Sequence, residues 1–187
     1  AIAATEFPTD RYVIEGIARL RPGVTVRHGL DELAGVDVVV RSLVDYRTAE
    51  LHDLAAETAR ARTAGAITVW DLSHAAGVVE VDLAGADVDL ATGCTYKFLN
   101  GGPGAPAFTF VRSELHSQVV QPIWGWFGQQ NQFEMDNPFR ARADIGRMLN
   151  GTPGILGLTA ARCGIAASAE AGIASIAAKA RALGNYA

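Results

Sequence analysis

Asp71 in "WDLSH" and Lys97 in "CTYKFLNGGPGAP" each close an apolar run, and each carries a group that chemistry can use. Lys97 is the single charged residue between Thr92 and Phe108, among glycines, prolines and small apolar side chains. An ordinary surface lysine lays its stem along the protein and keeps its ammonium in water. A lysine entering a glycine-rich loop at a strand end has a second use. Desolvation and neighbours can lower its pKa from the ~10.4 found in water, and the free amine is then a nucleophile.

His74 follows Asp71 closely, Tyr96 precedes Lys97, and Ser42 closes an earlier apolar run. Singly, each has an ordinary use. Asp71 could cap a helix, His74 could be a half-buried, hydrogen-bonded histidine, and Trp124 and Trp126 could pack in a core or interface. Open α/β sheets bind ligands outside the carboxyl ends of their strands. A hydroxyl, a carboxylate, an imidazole, a phenol and an amine are therefore expected at one rim. An amine and a carboxylate in one pocket are what pyridoxal phosphate needs. The lysine forms a Schiff base with its aldehyde, and the acid keeps the pyridine nitrogen protonated so that the ring acts as an electron sink.

The elements that must present these groups are legible as apolar runs. "VDVVVRSL" (36–43), "AITVWDLS" (66–73), "APAFTFV" (105–111) and the shorter "VDLATGC" (88–94) read as strands buried on both faces. Leu51, Leu54, Ala55 and Thr58 follow helical spacing, and Gly65 stops that helix. Strand, helix and strand make a βαβ unit, so the expected fold is α/β, a mainly parallel sheet sandwiched by helices. Thr9 or Asp10 is expected to cap a helix running to Leu20. Residues 1–153 read as one large domain. Residues 154–187 read as a long helix, with Gly164 and Gly172 as candidate interruptions, leading towards a smaller domain.

The 187 residues suffice for one ordinary core. A formal charge of −4 without a basic block predicts no nucleic-acid partner. No apolar run reaches the ~18 residues of a membrane helix, and no signal peptide is visible. Cys94 and Cys163 form no Cys-x-x-Cys, and the four histidines are dispersed, so no metal site is expected and a reducing cytoplasm fits. "NGGPGAP" lacks the Gly-Lys-Ser/Thr of a nucleotide-binding P-loop.

In order, "FPTD", "VDYRTAELHDL", "WDLSHAAG", "CTYKFLNGGPGAPAF", "GWFG" and "NGTPGILGL" closely resemble the kynureninases, pyridoxal-phosphate enzymes of the aminotransferase-like fold. The resemblance implies a homodimer that hydrolyses L-kynurenine, or its 3-hydroxy form, to an anthranilate and L-alanine in tryptophan catabolism and NAD biosynthesis. It implies Lys97 as the Schiff-base lysine and base, Asp71 as partner of the pyridine nitrogen, His74 beside the ring and Phe7 stacked on it. Thr9 and Asp10 would complete the first cofactor-binding turn. Ser42, Tyr96 and Trp126 would bind the phosphate, Tyr96 doubling as a proton donor, and Thr152 would lie near the cofactor of the neighbouring subunit.

Family members are more than twice this long, so the chain is expected to be the central, cofactor-binding portion, without the arginine that holds the substrate carboxylate. It departs from the family at Gln129 (usually histidine), Ala49 (usually glycine) and Asp45 (an amide or imidazole). Two alternatives stand beside this reading. One is a related lyase such as a cysteine desulfurase, although Cys94 is misplaced for the mobile cysteine of those enzymes. The other is a non-catalytic domain that serves folding or interaction.

Overall fold

The computed structural model describes residues 1–135 and 137–186. The four apolar runs become β1 (Val38–Ser42), β2 (Ile67–Asp71), β3 (Leu90–Cys94) and β4 (Ala107–Val111), lying side by side in that order. β1, β2 and β3 are parallel, and β4 runs antiparallel to β3 with Cys94 opposite Ala107. The reversal has a plain cause. Residues 95–106 contain no helix to carry a parallel crossover, so the chain can only turn back.

Residues 1–3 lie along the outer edge of β1. Ile2 pairs in parallel with both Val40 and His28, and the Val40 amide donates to the Ala1 carbonyl at 2.9 Å. The chain therefore delivers residues 6–10 to the carboxyl end of β1. α1 (Pro8–Leu20) starts there, two to three residues earlier than a cap at Thr9 or Asp10 would set it. Neither Thr9 nor Asp10 caps it. Phe7 occupies the cap without a side-chain bond, and Pro8, whose ring presets the helical φ, opens the first turn. α2 (Leu54–Thr63) is capped by Asp53, which accepts from the Ala56 amide at 2.9 Å, and Trp70 of β2 donates to Thr58 of α2 at 3.0 Å.

The expected long carboxy-terminal helix is two helices. α3 (Ile155–Ala171) and α4 (Ile173–Tyr186) are separated by Gly172 at φ +79°, which a side chain resists. Gly164 stays helical for a packing reason. A Cβ there would collide with the Leu99 carbonyl, and one at Gly157 would sit 2.6 Å from the Gly104 oxygen. The small-residue stripe Gly157, Ala161, Gly164 and Ser168 thus seats α3 directly on the loop after Lys97. Asn100 Nδ2 donates to Ser168 Oγ at 3.3 Å across the contact. Apolar packing gathers in two clusters, one around Leu33, Val39 and Ala61, the other around Leu43, Trp70 and Val88. No described helix is long and apolar enough to cross a membrane.

Candidate functional site

The parallel register sets Ser42 beside Asp71 and Asp71 beside Thr92 at the carboxyl edge of the sheet. Asp71 is only 7% exposed. Its Oδ1 accepts from the Ser73 amide at 2.8 Å and the Ser73 hydroxyl at 2.6 Å, whereas Oδ2 has, among the described residues, only the Ser42 hydroxyl at 3.4 Å. The Ser42 hydroxyl is closer to Glu6, and donates to its Oε1. Glu6, also 7% exposed, accepts in addition from the Ser42 amide at 2.8 Å and the Phe7 amide at 3.1 Å.

The turn after β2 carries His74. Gly77 ends it at φ +97°, where a Cβ would lie 2.5 Å from the Phe98 oxygen, so this turn and the lysine loop touch through a bare backbone. That contact brings the lysine to the histidine. Lys97 Nζ donates to His74 Nε2 at 2.9 Å, and lies 5.6 Å from the centre of the Phe7 ring and 5.7 Å from that of Tyr96. The lysine loop is internally tied. Asn100, at φ +59°, donates its amide to the Lys97 carbonyl at 3.0 Å, and Gly101 donates to Thr95 at 2.9 Å.

Burial, and then the Lys97 ammonium, hold the His74 imidazole below its ordinary pKa. A neutral ring accepts at Nε2 and carries its proton on Nδ1. That Nδ1 is buried with no partner among the described residues. Asp10 is pushed up from 3.8 to about 6 by burial first, then by the Asp71 and Glu6 carboxylates, with Lys97 opposing. Its Oδ2 is likewise buried without a partner among the described residues. A donor and an acceptor near the lysine thus stand unpaired among the described residues, which native interiors rarely tolerate without a ligand or water.

Of the residues expected from the sequence, Phe7, Asp10, Ser42, Asp71, His74, Tyr96 and Lys97 come together. Thr9 is adjacent but exposed in the first turn of α1. Ser42 is buried between the carboxylates of Glu6 and Asp71, surroundings that repel a phosphate dianion. Trp126 sits in a short 3₁₀ turn, its ring against Phe127 at 4.8 Å and Phe133 at 5.9 Å. Thr152 is exposed ahead of α3. Neither joins the group around Lys97.

Sequence reasoning passed over Glu6 and Tyr46. Glu6 immediately precedes Phe7, where a charge reads as surface, and its burial comes from the strand-edge path of residues 1–3. The Tyr46 ring stands edge-on to Phe7 at 5.0 Å and 6.5 Å from His74. Asp45 shapes its turn by accepting from the Arg47 and Thr48 amides at 2.8 and 2.9 Å, bonds that hold its carboxyl below the ordinary range. Ala49 closes that turn at φ +58°, a left-handed conformation that explains a glycine preference. Gln129 is buried and local in its bonds. It accepts from the Arg140 amide at 2.6 Å and donates to the Pro138 carbonyl at 3.4 Å. Two open concavities, of about 450 and 630 Å³, lie around His52 and Arg60, and none of Phe7, Asp10, Asp71, His74 and Lys97 lines either.

Comparison with known proteins gives one family and one fold. The aminotransferase class-V family model matches residues 36–187. The chain is 42% identical over 187 residues to the kynureninase of Pseudomonas fluorescens, with 96% of this chain and 45% of that protein covered. It is 45% identical over 163 residues to the kynureninase of Deinococcus radiodurans, with 84% and 40% covered. The chain thus spans a little under half the length of the curated relatives it matches. Among solved structures, the apo cysteine desulfurase of Thermococcus onnurineus NA1 superposes with TM-score 0.75 at 20% identity, covering 92% of this chain and 46% of that one. A C-DES mutant with glycine covalently linked to its PLP cofactor superposes with TM-score 0.76 at 15% identity, covering 91% and 49%.

Proposed function

The chain belongs to the aminotransferase class-V family, and from that premise we propose that it is the cofactor-binding portion of a kynureninase. It would hold pyridoxal phosphate at Lys97 and serve the hydrolysis of L-kynurenine, or its 3-hydroxy form, to an anthranilate and L-alanine. The observation that carries this is the Lys97–His74 contact at 2.9 Å, with buried Asp71 at the neighbouring strand end.

The residues present fit the ring end of that cofactor. Asp71 keeps Oδ2 weakly engaged at 3.4 Å, His74 Nδ1 has no described partner, and the Phe7 face lies 5.6 Å from the amine. When bound, pyridoxal phosphate supplies a sink for electrons released at the substrate α-carbon. The chain supplies position and proton traffic. Lys97 Nζ is the base for the α-proton, and neutral His74, in contact through Nε2, can accept a proton from it. The Phe7 ring covers the amine on one side, with Tyr46 packed edge-on against Phe7. Tyr96, 48% exposed beside Lys97, is placed to donate a proton to the departing product.

A second copy would supply what this rim lacks. Trp126 and Thr152 stay apart from Lys97, and Ile123, Trp124, Phe133 and Leu156 are exposed apolar side chains that a homodimer would cover. The free thiols Cys94 and Cys163 suit a reducing cytoplasm. The cysteine desulfurase reading is weaker, because Cys94 is fixed at a strand end, its Sγ 3.7 Å from the Ser73 carbonyl. A non-catalytic domain would have no use for His74 and Asp10 atoms that are buried near a lysine with no partner among the described residues.

Titration with pyridoxal phosphate tests the cofactor assignment, with a visible absorbance band expected in the unaltered chain and none in Lys97→Ala. Release of anthranilate from kynurenine by the full-length protein tests the reaction. A full-length protein that binds the cofactor yet releases sulfur from cysteine in place of anthranilate from kynurenine contradicts it.

A further inference from the structure

We propose that Glu6 is a positioning residue for the Lys97 site. By taking the Ser42 hydroxyl proton, it leaves Asp71 Oδ2 open to accept the N–H of the cofactor ring. This deepens the cofactor reading above and rests on it.

A serine hydroxyl has one proton to give. Ser42 Oγ has two carboxylate oxygens within reach, Glu6 Oε1 in close contact and Asp71 Oδ2 at 3.4 Å, the outer limit of a hydrogen bond. The proton therefore belongs to Glu6. Asp71 Oδ1 is already filled by both Ser73 donors, so Oδ2 is the oxygen with lone pairs to spare. A carboxylate as buried as Glu6 is costly unless its hydrogen bonds are made. Its donors are the Ser42 amide at 2.8 Å, the Ser42 hydroxyl and the Phe7 amide at 3.1 Å. All three come from the end of β1 and the start of α1. One side chain thus fixes both the ring-facing Phe7 and the hydroxyl that would otherwise occupy Asp71.

The experiment compares pyridoxal phosphate binding, followed by visible absorbance, in the unaltered chain, Glu6→Gln, Ser42→Ala and the double variant. Gln keeps the shape of Glu6 but accepts less strongly, so the Ser42 proton turns to Asp71. Glu6→Gln is expected to weaken binding roughly tenfold with Ser42 present and less than about threefold in the Ser42→Ala background. The pH midpoint of the visible band is expected to move down with Ser42 present. The ionisable groups that face the site are Glu6, Asp10, Asp45, Asp71, His74, Tyr96 and Lys97. A Glu6→Gln loss of equal size in both backgrounds identifies a structural staple only and overturns the proposal, as does no loss at all. Should Glu6→Gln not fold, Glu6→Asp gives the same comparison, with a loss that Ser42→Ala removes expected and an equal loss contradicting. An unaltered chain that binds no pyridoxal phosphate removes the cofactor reading itself. Binding that Glu6→Gln leaves untouched removes this inference alone.

Discussion

Asp10 and His74 show how the surroundings of one lysine set the charge of its neighbours. Asp10 rises from 3.8 to about 6 because burial, Asp71 and Glu6 all disfavour its anion. A carboxyl whose folded pKa is raised binds more protons folded than unfolded, so stability falls as pH rises through that window. Asp10→Asn is therefore expected to raise the melting temperature at pH 7–8 and to leave it unchanged near pH 3, below both pKa values. A pH series of thermal melts checks this, and a gain of equal size at both ends contradicts the assignment. Tyr96→Phe is expected to lower kcat of the full-length enzyme by roughly 10²-fold or more if the phenol donates a proton, with cofactor absorbance retained. The placing of Asp71 and Lys97 at one edge of the sheet was legible because each polar residue closes an apolar run. Glu6 was not, since its burial depends on a contact 36 residues away at Ser42.

Glycines decide how closely the elements that carry the site approach. Gly164 of α3 has no room for a Cβ against Leu99 and Asn100, so Gly164→Ala forces the helix away from the lysine loop. The expected cost is about 1–3 kcal/mol, accompanied by weaker cofactor binding, measurable by denaturant unfolding and absorbance titration. Ala49 presents the opposite case. At φ +58° its side chain strains the turn that carries Asp45 and Tyr46. Ala49→Gly is expected to stabilise the fold by about 1 kcal/mol; a destabilised variant contradicts the strain. The strands were legible to within a few residues, because β-branched runs have few other uses. The direction of β4 was not, and neither was the choice of Gly172 over Gly164 as the helix break. Both depend on what packs against them: a helix-free connection in one case, the seat for α3 in the other.

At the scale of the whole molecule, the chain gathers Phe7, Asp71, His74 and Lys97 at one edge of the sheet and leaves Trp126 and Thr152 apart. Trp126 and Thr152 had the right residue types in the right order, but order along a chain does not say which copy of the site a residue serves. If a second copy completes the rim, sedimentation of the full-length protein gives a dimer, and a monomer contradicts that part of the proposal. The central claim is narrower: one amine, that of Lys97, carries the cofactor. The sequence has two lysines, Lys97 and Lys179, so the claim has a clean readout. The protein is mixed with pyridoxal phosphate, reduced with borohydride, digested and mapped by mass spectrometry. A pyridoxyl group confined to the peptide containing Lys97 is the predicted result; label on Lys179 or the amino terminus with Lys97 unmodified contradicts it.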